Sequence, residues 1–182
     1  LGSDGTFTYT HNGYETTNDE FTYKASDGAL DSNTVAVSIT ITPENDAPVA
    51  VADNGGIVAE GGTLSGQPNV LTNDTDAESS PLTATLVTDV ANGTLALNSN
   101  GSFTYTHDGS ETTEDNFTYK ANDGALDSNT VTVSITVTPD NDAPIAVADV
   151  GGIVTEGGTL TGQPNVLTND TDAEDNPLTA TL

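Results

Sequence analysis

Thr130-Val131-Thr132-Val133-Ser134-Ile135-Thr136-Val137 alternates polar and apolar residues without a break. Successive side chains of a β-strand point to opposite faces, so Val131, Val133, Ile135 and Val137 share one face and the hydroxyl residues the other. Four β-branched apolar residues on one side suit a pleated strand that lies against a core. No window of the chain offers an apolar stripe at helical spacing. The stretch therefore predicts an all-β fold.

Working outward, Thr34–Ile41 repeats the alternation, and Ile57–Val58, Leu82–Leu86, Thr94–Leu97, Phe103–Tyr105 and Phe117–Ala121 read as further short strands. Asn-Gly, Asp-Gly and Asn-Asp-Gly turns separate them, because Asn and Asp bond their own backbone and Gly accepts a positive φ. About seven short strands in some 96 residues predict a Greek-key β-sandwich of immunoglobulin type. Asp115 to Ala121 has the spacing of a tyrosine corner, in which Tyr119 would bond backbone a few residues upstream.

The chain repeats itself. Gly101 to His107 echoes Gly5 to His11, a period of 96 residues, and the match runs without a gap from Leu1/Leu97 to Leu86/Leu182. Roughly four positions in five are identical, as tandem duplication produces. Pro43–Pro48 and Pro139–Pro144 are stiff, helix-breaking linkers. They divide the chain into the rear half of one repeat (1–46), a complete repeat (47–142) and the front half of the next (143–182). Together the two halves lack only the equivalent of Val87–Ala96. We expect such halves to complement one another between molecules in a head-to-tail manner.

The composition narrows function. Of 182 residues, 28 are acidic and only Lys24 and Lys120 are basic, a formal charge of −26. That field repels nucleic acid and anionic membranes and strains a compact state by self-repulsion. A divalent cation is the simplest counterweight, since hard cations take carboxylate oxygens. There is no Cys, so disulfides and thiolate chemistry are out of reach, and no apolar run approaches a membrane span.

The acids recur as clusters, once per repeat. Glu44-Asn45-Asp46 and Asp140-Asn141-Asp142 lie in the linkers. Asn73-Asp74-Thr75-Asp76-Ala77-Glu78 returns as Asn169 to Glu174, and single glutamates follow short strands at Glu60 and Glu156. Asp27-Gly28, Asp108-Gly109 and Asp123-Gly124 read as plain turns. His11 and His107 have no second nitrogen or sulfur ligand in reach and read as exposed polar residues. Asp74/Asp76 could imitate a glycosidase dyad, but there is no nucleophile elbow, phosphate loop or aromatic sugar platform, and we expect no enzyme.

Phe117 to Gly124, then Thr130–Val137 and Pro139-Asp140-Asn141-Asp142-Ala143-Pro144, resemble the end of a cadherin-type domain. Asp74-Thr75-Asp76 resembles the Asp-x-Asp site of that superfamily, and Glu60 the glutamate near the start of its domain. With Asn-Gly-Ser-Phe-Thr-Tyr-Thr added, the full length looks like the cadherin-like (VCBS-type) tandem repeats of bacterial RTX adhesins and biofilm proteins. That resemblance implies calcium between successive domains. The first junction would use Glu44, Asn45, Asp46, Asp74 and Asp76. The second would use Asp140, Asn141, Asp142, Asp170 and Asp172, with Glu60 and Asp115 from the complete repeat, and Asp53 and Asp149 as outer candidates. It further implies type I secretion, a place at the bacterial surface, and an extender role that projects distal adhesion domains, with neighbouring repeats as partners. The alternative is a sandwich that itself binds carbohydrate or a protein ligand.

Overall fold

A computed structural model describes residues 1–66, 69–163 and 165–182. Among these residues there are nine strands: β1 (Asn18–Tyr23), β2 (Val35–Thr40), β3 (Asp53–Ala59), β4 (Thr63–Leu64), β5 (Thr83–Thr88), β6 (Gly93–Leu97), β7 (Phe103–His107), β8 (Glu114–Asn122) and β9 (Val131–Thr138). No helix occurs among the described residues.

The seven strands β3 to β9 form the complete repeat as a β-sandwich. One sheet has the order β3-β9-β8-β5 and the other β4-β7-β6. All pairings are antiparallel except β3 with β9, which run parallel from Asp53↔Val133 to Ala59↔Thr138. The alternation of β9 decides what it buries: Val133, Ile135 and Val137 are at most 2% exposed, while Ser134 and Thr136 face solvent. Phe117 and Tyr119 on the neighbouring β8 and Tyr105 on β7 of the facing sheet are wholly buried with them. The Phe103 and Phe117 rings meet edge to face at 5.3 Å. Each such large side chain contributes about 1.5–3 kcal/mol by leaving water. Of these seven, the strand with no counterpart in the sequence reading is β4, whose two residues are too few for a period to show; β1 is not named there either.

Tyr119 departs from the expected corner. Its hydroxyl lies 2.6 Å from the Val70 carbonyl oxygen, far along the chain, and 3.0 Å from one oxygen each of Asp53 and Asp74. It ties the segment entering the repeat to the central strand.

The flanking halves follow from the same pairings. In the complete repeat, β3, β4 and β5 each pair with a strand of the rear half, β9, β7 and β8 respectively. Among its described residues the front half 143–182, which carries the counterparts of β3 and β4 and the start of that of β5, forms only an isolated bridge between Ile145 and Thr171. The rear half 1–46 keeps one hairpin, β1 with β2, the counterpart of β8 with β9.

Candidate metal centres at the domain junctions

At its entry the linker is pinned to the repeat that follows. Val49 and Thr75 exchange backbone bonds of 2.8 and 3.0 Å, and the Asn129 side chain binds both the N–H and C=O of Ala50. The Asp-x-Asp loop thus lies directly against the linker. The Asp46 N–H donates to Glu78 Oε1 at 3.2 Å, and Asn45 Nδ2 donates to Asp123 Oδ2 at 2.8 Å.

A carboxylate cluster results. Oxygens of Glu15, Asp46 and Glu78 lie within 4.8 Å of one another. Glu15 comes from the repeat before the linker, Asp46 from the linker and Glu78 from the repeat after it.

The second junction also gathers three carboxylates, two of them from the repeat before the linker. Glu60 directly follows β3, where the end of β9 accepts its N–H through Thr138 O at 2.9 Å. Glu111 lies in the loop between β7 and β8. Oxygens of Glu60, Glu111 and Asp142 fall within 4.8 Å of one another. The Asp142 N–H donates to Glu174 Oε1 at 2.7 Å, and the Asp140 N–H to Glu60 Oε2 at 3.2 Å. Glu111, Asp142 and Glu174 are the counterparts of Glu15, Asp46 and Glu78 at the 96-residue period. Desolvation, followed by the Glu60, Glu174 and Asp142 carboxylates, raises the Glu111 pKa above the usual glutamate value. Such crowding marks a site short of positive charge.

A hard cation fits these residues. Asp76 Oδ2, Glu78 Oε2 and Glu174 Oε2 are buried oxygens without any hydrogen-bond donor. A buried anionic oxygen left unpaired is costly, and a cation in contact with it offsets that cost. Every donor is a carboxylate or amide oxygen, the ligand type of calcium and magnesium rather than zinc or copper.

Several residues named from sequence sit differently. Both Asp74 oxygens already accept protein donors, the Val51 N–H at 2.8 Å and the Tyr119 hydroxyl at 3.0 Å. Asp170 Oδ1 likewise accepts the Val147 N–H at 2.8 Å. Asp76 and Asp172 each give one oxygen to their own loop, at Ser80 and Asn176. Asp140 Oδ1 accepts the Asn141 N–H, and Asn141 Nδ2 donates to the Asp142 carbonyl at 2.9 Å. Glu44 is exposed and outside the cluster. Asp53 is held by Tyr119; its burial raises its pKa, Tyr119 opposes the rise, and Asp74 adds to it.

Asp115 is a correction. It is 4% exposed, and its two oxygens accept the N–H groups of Ala91, Asn92 and Asn116 and the Tyr105 hydroxyl. Burial pushes its pKa up, but those donors outweigh burial and hold it below the ordinary aspartate value. It anchors the β5–β6 turn inside the sandwich. His107 is a second correction, since it is 2% exposed rather than a surface residue.

Sequence reasoning passed over Glu15 and Glu111, and it named Glu78, Glu174 and Asp123 without placing them at a junction site. The recurrence of Glu15 at Glu111, outside any acidic motif, was the available signal. Asp123 does form the expected turn, accepting the Ala125 and Leu126 N–H groups at 2.7 Å, but its other oxygen also meets the linker.

Residues 45–139 match the family described as a bacterial cadherin-like domain. The chain belongs to that family. Cadherin-like folds are adhesion-type extracellular modules, typically non-enzymatic, and generally bind calcium. The human mucin-like protocadherin EC1-2 structure is similar, with a TM-score of 0.51 at 17% identity, covering 74% of each chain. Protocadherin gamma B7 domains 1–4 give 0.49 at 18% identity, covering 75% of this chain and 36% of that one. The first likeness concerns the fold alone. "Extracellular matrix protein 3" of Lytechinus variegatus is 30% identical over 197 aligned residues, which take in 94% of this cadherin-like chain. The chain spans only 6% of that relative's length. No helix among the described residues is long and apolar enough to cross a membrane.

Proposed function

We propose that this chain is a calcium-stiffened spacer of a bacterial surface adhesin, in which each junction between repeats is locked by its acidic cluster. The observation that carries the reading is that three carboxylates gather at each Pro-bounded linker, Glu15, Asp46 and Glu78 at the first and Glu60, Glu111 and Asp142 at the second, where the Glu174 carboxylate adds its charge. Glu111 belongs to the repeat before the second linker, Asp142 to the linker and Glu174 to the segment after it. Their mutual repulsion drives adjoining repeats apart when the charge is unbalanced. Bound calcium supplies the missing positive charge and draws carboxylates from both sides to one point. The buried oxygens of Asp76, Glu78 and Glu174 then gain a partner, and the backbone bonds from Asp46 and Asp142 hold the linker to the following loop. Glu44, Asn45, Asp140, Asn141 and Asp172 complete the oxygen shell around these clusters.

The reading extends to the array. An unpaired front half completes its sheets by taking the rear-half strands of a neighbouring repeat, in the same chain or another, because all its strand partners lie there. Family membership and the extreme acidity support secretion to the cell surface, a rod built of such repeats and a distal adhesion domain.

A thermal melt with millimolar calcium, with magnesium as control, tests this. Ions that bind only the folded state raise the melting temperature in proportion to ln(1 + [L]/Kd). A large calcium-specific rise supports the reading; equal melts in calcium, magnesium and chelator would sink it.

A further inference from the structure

His107 ends β7 beside the second acidic cluster. Its ring touches both segments that supply glutamates to that cluster. Nδ1 accepts the N–H of Gly61 at 3.2 Å and of Gly109 at 3.3 Å. A nitrogen that accepts two N–H groups carries no proton, so the ring proton sits on Nε2. There it points at Thr112 Oγ1, 2.9 Å away, with Asp108 Oδ1 farther off at 3.9 Å. The His107 backbone N–H also donates to the Gly62 carbonyl at 3.0 Å.

Gly61 directly follows Glu60, and Thr112 directly follows Glu111. One buried ring therefore bridges the residues next to two of the three clustered carboxylates, on loops that no strand pairing joins at those points. We propose that His107 is the positioning residue of the second cluster, setting the spacing of Glu60 and Glu111 for a divalent cation. This rests on the calcium reading above. The ring acts through its neighbours and is not itself a ligand, because both its nitrogens are engaged with protein. The bond from the ring to the following hydroxyl recurs in the preceding repeat, where His11 Nε2 lies 3.0 Å from Thr16 Oγ1 and Glu15 is the adjacent glutamate. Burial of an aromatic ring would serve packing alone; its engagement of both flanking loops is what packing does not need.

The test uses the 182-residue chain and calcium titration calorimetry in two backgrounds. Glu78→Gln weakens the first cluster and leaves the second to be read; Glu174→Gln does the reverse. Thr112→Val removes the hydroxyl without changing volume, and His107→Phe removes both ring nitrogens. In the Glu78→Gln background we expect each to weaken calcium binding about tenfold, equivalent to about 1.4 kcal/mol. His107→Gln, which can still reach Thr112, should restore part of the loss. In the Glu174→Gln background the same changes should leave binding at the first cluster as it was. A packing role alone predicts a lower metal-free melting temperature with both clusters weakened alike, and that result overturns the proposal. So does unchanged affinity of Thr112→Val and His107→Phe for a cluster that binds calcium. If the Glu78→Gln parent itself binds no calcium, the calcium reading fails, and the positioning role with it. Thr112→Val keeps the ring, so the question stays answerable if His107→Phe does not fold.

Discussion

The backbone N–H of Asp142 donates to Glu174 Oε1 at 2.7 Å, joining linker to following loop, while the other oxygen of the same carboxylate is buried with no donor. One group is thus half a structural clasp and half an uncompensated charge. Glu174→Gln keeps the clasp and removes the charge. We expect calcium affinity at that junction to fall about tenfold, or about 1.4 kcal/mol. The metal-free melting temperature should rise, because one member of a like-charged group has been neutralised. Calorimetric titration and a melt in chelator read the two effects; a drop in both would show that the charge is balanced by something other than a cation.

Asp115 should make the sandwich acid-sensitive. Its folded pKa is depressed, so its contribution is fully present above the unfolded value, near 3.9, and is lost as pH falls through the folded value. Asp115→Asn should cost about 2–4 kcal/mol at pH 7, since one acceptor oxygen becomes a donor facing backbone N–H groups. Urea unfolding at pH 7 and pH 3 checks this: the gap between parent and variant should shrink at the lower pH. A constant gap would mean the carboxylate charge plays no part.

Gly55 sits at the irregularity where β3 slips in register against β9. A Cβ there would meet Ile135 Cγ1 and Val133 Cγ1 at 3.0 Å, both in the packed core. Gly55→Ala should therefore destabilise the repeat by about 1–3 kcal/mol. The urea midpoint should move with an unchanged slope. A neutral result would show that the β3–β9 pair yields at this point.

Strand formation in the front half should depend on a rear half. A peptide of residues 143–182 alone should give a coil-like circular dichroism spectrum. Mixing it with residues 87–142, which carry β6 to β9, should raise the β signal in a saturable way. Spectra that merely add would argue that repeats do not share strands across a cut.

The fold was legible because its period is short and its core residues are β-branched or aromatic. Val133, Ile135 and Val137 announce a buried face from spacing alone. The candidate site was half legible. Asp46, Asp142 and Glu60 stand in motifs and do converge, whereas Glu15 and Glu111 stand in loops whose sequence looks like any polar connection. Their role depends on where β7 and β8 place that loop relative to the linker, a long-range fact. Asp74 and Asp115 show the opposite case. Their type and spacing suit a ligand, but Tyr119 and Tyr105, distant in sequence or on the facing sheet, claim their oxygens. His107 was misjudged because a histidine among Thr and Asp residues gives no hint that two glycine N–H groups lie against its ring.

The parallel pairing of β3 with β9 has a mechanical meaning. These are the first and last strands of the repeat, so tension along a chain of repeats enters at the start of one and leaves from the end of the other. For parallel neighbours this drags the two strands past each other along their own axes. Six registered positions from Asp53 to Ala59 then resist together, where an antiparallel hairpin pulled from its open end would surrender its bonds one at a time. Repeats pulled end to end would thus carry the load across the strand pair best placed to share it.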